Sequence, residues 1–312
     1  MEFSVLGSLR VRENGLDYAP TAPKQRQLLA LLVFNANQVV SVGTCIEELW
    51  GENPPDTGLS TLQSYVLQLR RILKRVPRIG SLKAARELLQ TRDGGYLLAV
   101  RHDELDVNLF HDLVRQGRAE LGRNDIVASE LLSQALDLWQ GSALSDVQAG
   151  PVLRIHLAGL EETRISVQEQ RIDADLRLGR HHDLLGELSA LCALYPTHEN
   201  LHAQFMLALS RSGRRTQALE VVQRLRRMLD DELGLEPSPR MNRLHQAVLA
   251  CDPVIDAPAE TAPLLSLDLL AHSAAHTARA NSARANSAGA HSAGSNSGGA
   301  HSTRGVGVRR IA

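Results

Sequence analysis

Two stretches of the chain echo one another at a distance of 34 residues, and this spacing constrains the fold more than any other feature. Residues 178–191, Leu-Gly-Arg-His-His-Asp-Leu-Leu-Gly-Glu-Leu-Ser-Ala-Leu, align with residues 212–225, Ser-Gly-Arg-Arg-Thr-Gln-Ala-Leu-Glu-Val-Val-Gln-Arg-Leu, which sets Gly179 and Gly213 34 positions apart. That is the period of a tetratricopeptide helix pair, a unit that buries its apolar face only by stacking on its neighbours. Ala208 and Ala218 are small enough to let paired helices approach closely. A weaker echo, Gly122-Arg-Asn-Asp-Ile-Val-Ala128, precedes another helical stretch. From Leu105 to about Ala250 apolar residues recur at helical spacing throughout. An irregular helical bundle is the alternative, and on either reading the region is all-α. Composition agrees: aromatics are only 3%, the apolar mass is mostly Leu, Ala and Val, and unbranched side chains lose little rotamer freedom in a helix.

The first hundred residues have a different texture. Residues 2–19 alternate apolar and polar (Phe3, Val5, Leu9, Val11, Leu16, Tyr18), broken at Gly7 and at Glu13-Asn14-Gly15, as in short antiparallel strands joined by turns. Pro23 suits a first helical turn, and Leu28, Leu29, Leu31, Leu32 and Phe34 supply its buried stripe. Ser41 can cap a second helix running through Ile46, Leu49 and Trp50, which Pro54-Pro55 must end. A third helix is expected from near Gly58 to about Val76. Two strands follow, near residues 88–91 and 96–100, joined by a turn at Arg92-Asp93-Gly94-Gly95. Strands, three helices and a closing hairpin form one compact unit, residues 1–102, followed by the helical region, residues 103–252. Residues 253–312 are rich in Ala, Ser, Asn, Gly and His and cannot bury enough apolar surface to offset chain ordering, so a disordered tail with solvated histidines (His272, His276, His291, His301) is expected.

The third helix carries the chemistry. With Leu62 at the centre of one face, Val66, Leu69, Leu73 and Val76 fall beside it as a core stripe. The opposite face collects Ser60, Ser64, Leu67, Gln68, Arg71 and Arg75, with Lys74 at its edge, and no carboxylate. Arginine reads guanine through two bonds in the major groove, glutamine pairs with adenine, and Leu67 can touch a thymine methyl. Ser60 and Thr61 stand near the helix N-terminus, where amides suit a phosphate. Arg92 lies at the hairpin tip, in reach of a minor groove or a phosphate. A basic helix followed by a basic-tipped hairpin is the layout of a winged helix. Charge supports the assignment: residues 1–102 carry a net +4 and residues 103–252 a net -7, so only the first unit should approach a polyanion. Only three of the 34 basic residues are lysines, so the arginine content alone proves no contact.

Other functions find little footing. Cys45, Cys192 and Cys251 are far apart and odd in number, as expected of free thiols in a reducing compartment rather than of a disulfide frame or metal site. There is no signal peptide and no apolar run long enough to span a bilayer, so a cytoplasmic protein without membrane contact is expected. No phosphate loop, H-E-x-x-H or G-x-S-x-G occurs, and neither catalysis nor a cofactor is expected. The adjacent His181 and His182 are read as surface residues opening a helix of the repeat.

Several short runs together resemble the Streptomyces antibiotic regulatory protein (SARP) family. They are Val5-Leu-Gly-Ser-Leu-Arg-Val11, Asn37-Gln-Val-Val-Ser41, Leu49-Trp-Gly-Glu-Asn-Pro-Pro55, Thr61-Leu-Gln-Ser-Tyr-Val66 with Leu69-Arg-Arg71, Gly95-Tyr-Leu97, and Asp230-Asp-Glu-Leu-Gly-Leu-Glu-Pro237. The resemblance covers about residues 2–250. It implies a response-regulator-type winged helix-turn-helix joined to a bacterial transcriptional activation domain. It also implies activation of a secondary-metabolite gene cluster through short direct repeats beside a promoter, with neighbouring copies on the DNA. RNA polymerase holoenzyme would be the protein partner, with the loop Trp50, Gly51, Glu52, Asn53, Pro54, Pro55 and Asp56 as the candidate contact to its sigma subunit. Leu67 and Gln68 stand where the family often has Ser-Arg, which implies a different base preference. The stretch 77–87 is longer than the family pattern, and the tail is no part of it. The competing reading is an interaction scaffold or effector-sensing regulator in which the helical repeats are the working end and DNA binding is secondary.

Overall fold

The computed structural model describes residues 1–255. The tail expectation therefore lies outside the described residues, apart from Pro253–Ile255, which form a single 3-10 turn. Ile255 is buried and its carbonyl accepts from Arg211 Nε at 2.7 Å, so ordered packing continues past position 252.

The chain opens with β1 (Glu2–Ser4), β2 (Arg10–Glu13) and β3 (Leu16–Asp17), an antiparallel meander that sets Phe3 opposite Val11. Alternation then gives way to α1 (Pro23–Phe34), with proline at its first position. After β4 (Val40–Ser41), α2 (Val42–Trp50) starts where the Ser41 hydroxyl accepts from the Thr44 amide at 2.9 Å. Next come α3 (Gly58–Leu73), α4 (Leu82–Leu88), β5 (Leu89–Arg92) and β6 (Gly95–Leu98). β6 lies between β4 and β5, with Val40 opposite Tyr96, and closes the winged helix. One boundary is corrected: α3 ends three residues before Val76, because the Arg75 and Val76 amides turn back onto Ile72 and Leu73 ahead of Pro77. The long stretch before the wing holds a further helix, α4, which starts where Ser81 accepts from the Ala84 amide.

Seven helices follow: α5 (Asp106–Glu120), α6 (Asp125–Asp137), α7 (Pro151–Arg177), α8 (Leu185–Leu194), α9 (Glu199–Arg211), α10 (Arg215–Leu233) and α11 (Pro239–Ala250). The 34-residue echo is structural. Gly179 (φ +77°) and Gly213 (φ +73°) close α7 and α9 in the left-handed region, where glycine has no Cβ to clash. The next amides, of Arg180 and Arg214, return to the Asp175 and Leu209 carbonyls, each at 2.9 Å. Ala208 and Ala218 are fully buried, as close packing of α9 on α10 demands. His181 and His182 do not open a helix: they lie in the turn, and α8 begins at Leu185.

One continuous apolar core runs from Phe3 through the wing to Val167 on α7. Polar ties reinforce it. The Asp106 carboxylate accepts from the Val5 and Leu6 amides, the Gln140 and Leu144 amides donate to the Leu6 and Val5 carbonyls, and Asp146 accepts from Leu9. On the other side the buried Glu48 carboxylate of α2 accepts from Gln27 Nε2 at 2.9 Å and from the Gly150 and Leu153 amides at 2.6 and 2.9 Å. It thus caps α7, where unsatisfied amides and the helix dipole favour an anion.

A half-buried carboxyl and a buried imidazole give a pH signature. Burial outweighs four amide hydrogen bonds and pushes the Asp106 carboxyl up to about 6, while burial pushes His202 on α9 down to about 4. The stability tied to neutral Asp106 is complete below its unfolded value near 4 and is lost as pH rises through 6. That tied to neutral His202 is complete above about 6.5 and is lost as pH falls towards 4, so the two slopes oppose each other. Asp106→Asn removes only the first. Urea unfolding should show this variant gaining about 2 kcal/mol relative to wild type between pH 4.5 and 7. A constant difference would contradict the burial argument.

Candidate nucleic-acid interface

The α3 sequence separates its two faces cleanly. Leu62, Val66, Leu69 and Leu73 are buried against α1, α2 and α4, and Gly58 packs under Trp50, Pro54 and Pro55. The outward face presents Ser60, Ser64, Leu67, Gln68 and Arg71 to solvent, with Lys74 and Arg75 exposed just past the last turn. Thr61 is half-buried. Among the described residues no ion pair engages Arg71, Lys74, Arg75 or Arg92, and the face holds no acid. This open cationic surface attracts phosphate without first breaking internal bonds.

Some side chains are less available than the sequence indicates. The Ser60 and Ser64 hydroxyls donate back to the Thr57 and Ser60 carbonyls, each at 2.9 Å, and the Thr61 amide is already bonded to the Thr57 carbonyl. The Thr61 amide is therefore satisfied within the helix, since a backbone N–H serves one strong acceptor, which leaves its side chain to face the phosphate backbone. Gln68 accepts a hydrogen bond from Gln25 of α1, which fixes its amide orientation. Gln63, exposed between Ser60 and Leu67, adds a second amide that the sequence reading left out.

The wing is held to α3 by Arg70. Its Nε donates to the Leu89 carbonyl at 2.9 Å and its Nη2 to Thr91 Oγ1 at 2.8 Å, both on β5. Burial, and then the neighbouring Arg86, lower its pKa from the usual arginine value. Arg70 is thus a strut and Arg71 faces outward; one helical step of 100° separates the roles. Arg92 is exposed at the hairpin tip, with Gly94 at φ +73° completing the turn. α4 adds two further exposed cations, Lys83 and Arg86.

The loop between α2 and α3 divides in two. Trp50 turns inward and stacks on Tyr65, ring centroids 6.4 Å apart, and Gly51 (φ +63°) ends α2. Glu52, Asn53, Pro54, Pro55 and Asp56 are exposed. The loop therefore offers a rigid, acidic, proline-stiffened surface on a tryptophan base. Cys45 and Cys192 are buried free thiols whose pKa values burial pushes up to about 12.

Residues 19–98 match the model described as "Transcriptional regulatory protein, C terminal", and residues 105–249 match the "Bacterial transcriptional activator domain". The regulatory protein DnrI of Streptomyces peucetius is 46% identical over 272 residues, covering 87% of this chain and all of DnrI. The chain belongs to the Streptomyces antibiotic regulatory protein family. The transcriptional regulator RedD of Streptomyces coelicolor is 35% identical over 259 residues, 83% of this chain and 73% of RedD. Against the regulatory protein AfsR of Streptomyces griseus, 35% identical, this chain spans 26% of the relative's length. A solved structure of Mycobacterium tuberculosis EmbR in complex with a low affinity phosphopeptide superposes with a TM-score of 0.76 at 29% identity, covering 90% of this chain and 70% of that one. The protein is thus a transcriptional activator of the SARP type, with a winged helix and a helical activation domain; its relatives are regulators rather than enzymes. As an activator it works on DNA and on RNA polymerase. No helix among the described residues is long and apolar enough to cross a membrane.

Proposed function

We propose that this protein is a cytoplasmic, pathway-specific activator of an antibiotic or other secondary-metabolite gene cluster, and that it binds short direct repeats beside its promoter. The observation that carries the reading is the outward face of α3: a run of amide, hydroxyl and unpaired guanidinium groups without an acid, on a helix whose other face is core. Arg71 and Gln68 are the base-reading side chains, Leu67 the apolar contact, and Ser60, Thr61, Ser64, Lys74 and Arg75 flank them along the phosphate backbone. Arg92 reaches the adjacent minor groove or phosphate from the wing. Residues 50–56 form the contact to the sigma subunit of RNA polymerase holoenzyme, presented on α2, which Glu48 joins to α7. Membership of the antibiotic regulatory family, and the names of DnrI and RedD as regulators, support the role in transcription.

Fluorescence anisotropy on promoter DNA from the protein's own gene neighbourhood, with a scrambled control and a salt series, tests the reading. Affinity should fall with salt, since each phosphate contact releases counterions. Arg71→Ala should cost about 1–3 kcal/mol on the cognate site and less on the scrambled one. Equal weak binding to both DNAs would transfer the function to the helical repeats.

A further inference from the structure

The helical domain carries two surfaces that the winged helix does not explain, and they are complementary. One is a groove of about 340 Å³ between α8, α9 and α10. Leu185, Phe205, Leu209 and Val221 form its apolar lining, and Arg214 and Arg224 are exposed at its rim. Neither guanidinium makes an ion pair or hydrogen bond among the described residues. Glu220, also in the lining, leaves a net positive charge. The other surface is the last turn of α10 and the loop after it, Asp-Asp-Glu-Leu-Gly-Leu-Glu, residues 230–236, every one of them exposed. Leu233 and Leu235 are 57% and 56% exposed, and the four carboxylates around them make no ion pair among the described residues. Gly234, at φ +64°, reverses the chain between the leucines, and the Leu235 amide returns to the Leu229 carbonyl, so the loop is a fixed knob.

We propose that the groove receives the knob of a second copy of this chain: Leu233 and Leu235 enter the apolar lining, while Asp230, Asp231 and Glu232 meet Arg214 and Arg224. An apolar centre with a charged rim is the usual anatomy of a protein interface. A molecule cannot fill its own groove. The groove's edge at Arg224 and the knob's first residue, Asp230, lie on the same helix, about 9 Å apart along its axis at 1.5 Å per residue, and a continuous helix cannot fold its end back onto itself. The contact joins two different patches, so it relates copies by a head-to-tail step instead of a two-fold axis. Direct repeats on DNA impose the same relation, and the number of repeats limits a contact that would otherwise propagate. The contact is small and its charged rim is screened by salt, hence it is weak in free solution. Neighbouring DNA sites would raise the effective concentration to the millimolar range and make it count. This use on DNA rests on the direct-repeat reading above; the contact itself does not.

Sedimentation equilibrium of the full chain without DNA, at low salt and high protein concentration, reads the contact directly. Four samples decide it: wild type, R214E/R224E, D231R/E232R, and the mixture of the two variants. Wild type should associate with concentration and dissociate with salt, and each variant alone should stay monomeric. The mixture should associate again, because an acidic groove then meets a basic knob and each unchanged groove meets an unchanged knob. On DNA with two repeats against one, wild type should show about tenfold cooperativity that either variant alone loses while keeping its single-site affinity. Association that survives both variants, or a mixture that stays monomeric, overturns the proposal. So does a wild type that is monomeric throughout and binds one and two repeats with equal affinity per site. If no DNA is bound specifically, the promoter reading fails, and sedimentation still decides the contact.

Discussion

Glu48→Ala is expected to lower stability by about 3–5 kcal/mol, far beyond the effect of an ordinary surface glutamate. The Gly150 and Leu153 amides at the start of α7 donate to this carboxylate, and Gln27 Nε2 donates to it as well as to the Glu48 carbonyl. Alanine leaves the buried Leu153 amide and the half-buried Gly150 amide without an acceptor and opens a void where the side chain stood; an orphaned buried donor costs about 1–3 kcal/mol. Glu48→Gln keeps one acceptor oxygen and should lose about half as much. Gly150→Ala attacks the same junction sterically: a Cβ there would lie 2.0 Å from the Glu48 carbonyl oxygen and 2.8 Å from its carboxyl carbon, so α2 and α7 would have to part. Urea unfolding measures the loss, and proteolysis in residues 141–150 should accelerate in both variants. A change below about 1 kcal/mol in Glu48→Ala would mean that water replaces the carboxylate, and the junction would not be what couples the two halves.

The parts of this fold that were legible in the sequence are those set by neighbours along the chain. Pro23 and Ser41 mark helix starts through bonds spanning one to three residues, and Gly179 and Gly213 mark helix ends in the same way. The inner stripe of α3 follows from its 100° step. Glu48 was not legible, since its amide partners lie 102 and 105 residues away and beside Glu47 it looks like one of two solvated acids. α4 has seven residues, too few for a period to stand out, and its one fully buried side chain is Ala85. Within Arg70-Arg71 the spacing alone does not say which guanidinium supports the wing; the β5 acceptors decide that. The hydroxyls of Ser60 and Ser64 matched a DNA-facing pattern while serving the helix backbone, a local competition that hydroxyl residues always offer. Sequence reading therefore picked out the outward face of α3 and its side-chain chemistry, whereas long-range partners determine how rigidly that chemistry is held.

Gly95→Ala should damage the wing more than Gly94→Ala, although only Gly94 sits at positive φ. At Gly94 nothing lies within 4 Å of a new Cβ, so the variant bears only the strain of a left-handed alanine, about 1–2 kcal/mol. At Gly95 the Cβ would stand 2.2 Å from the Val40 carbonyl oxygen and 2.9 Å from the Val40 carbonyl carbon. Those are backbone atoms, which no rotamer change can move aside, so β6 must separate from β4 along the Val40–Tyr96 and Ser41–Gly95 register. Overpacking and lost ladder bonds together should cost about 3 kcal/mol or more. The β5–β6 pairing would survive, but parting from β4 would pull the hairpin against its Arg70 anchor, so its tip would shift relative to α3 and carry Arg92 with it. Affinity for cognate DNA should then fall about tenfold in Gly95→Ala, where one phosphate or minor-groove contact is lost, and stay within about twofold in Gly94→Ala. Thermal unfolding and anisotropy on the same two proteins make the comparison. Equal stability in both would show that β4 yields freely to the added methyl. Unequal stability with equal DNA affinity would place the wing off the DNA and leave α3 as the whole of the interface.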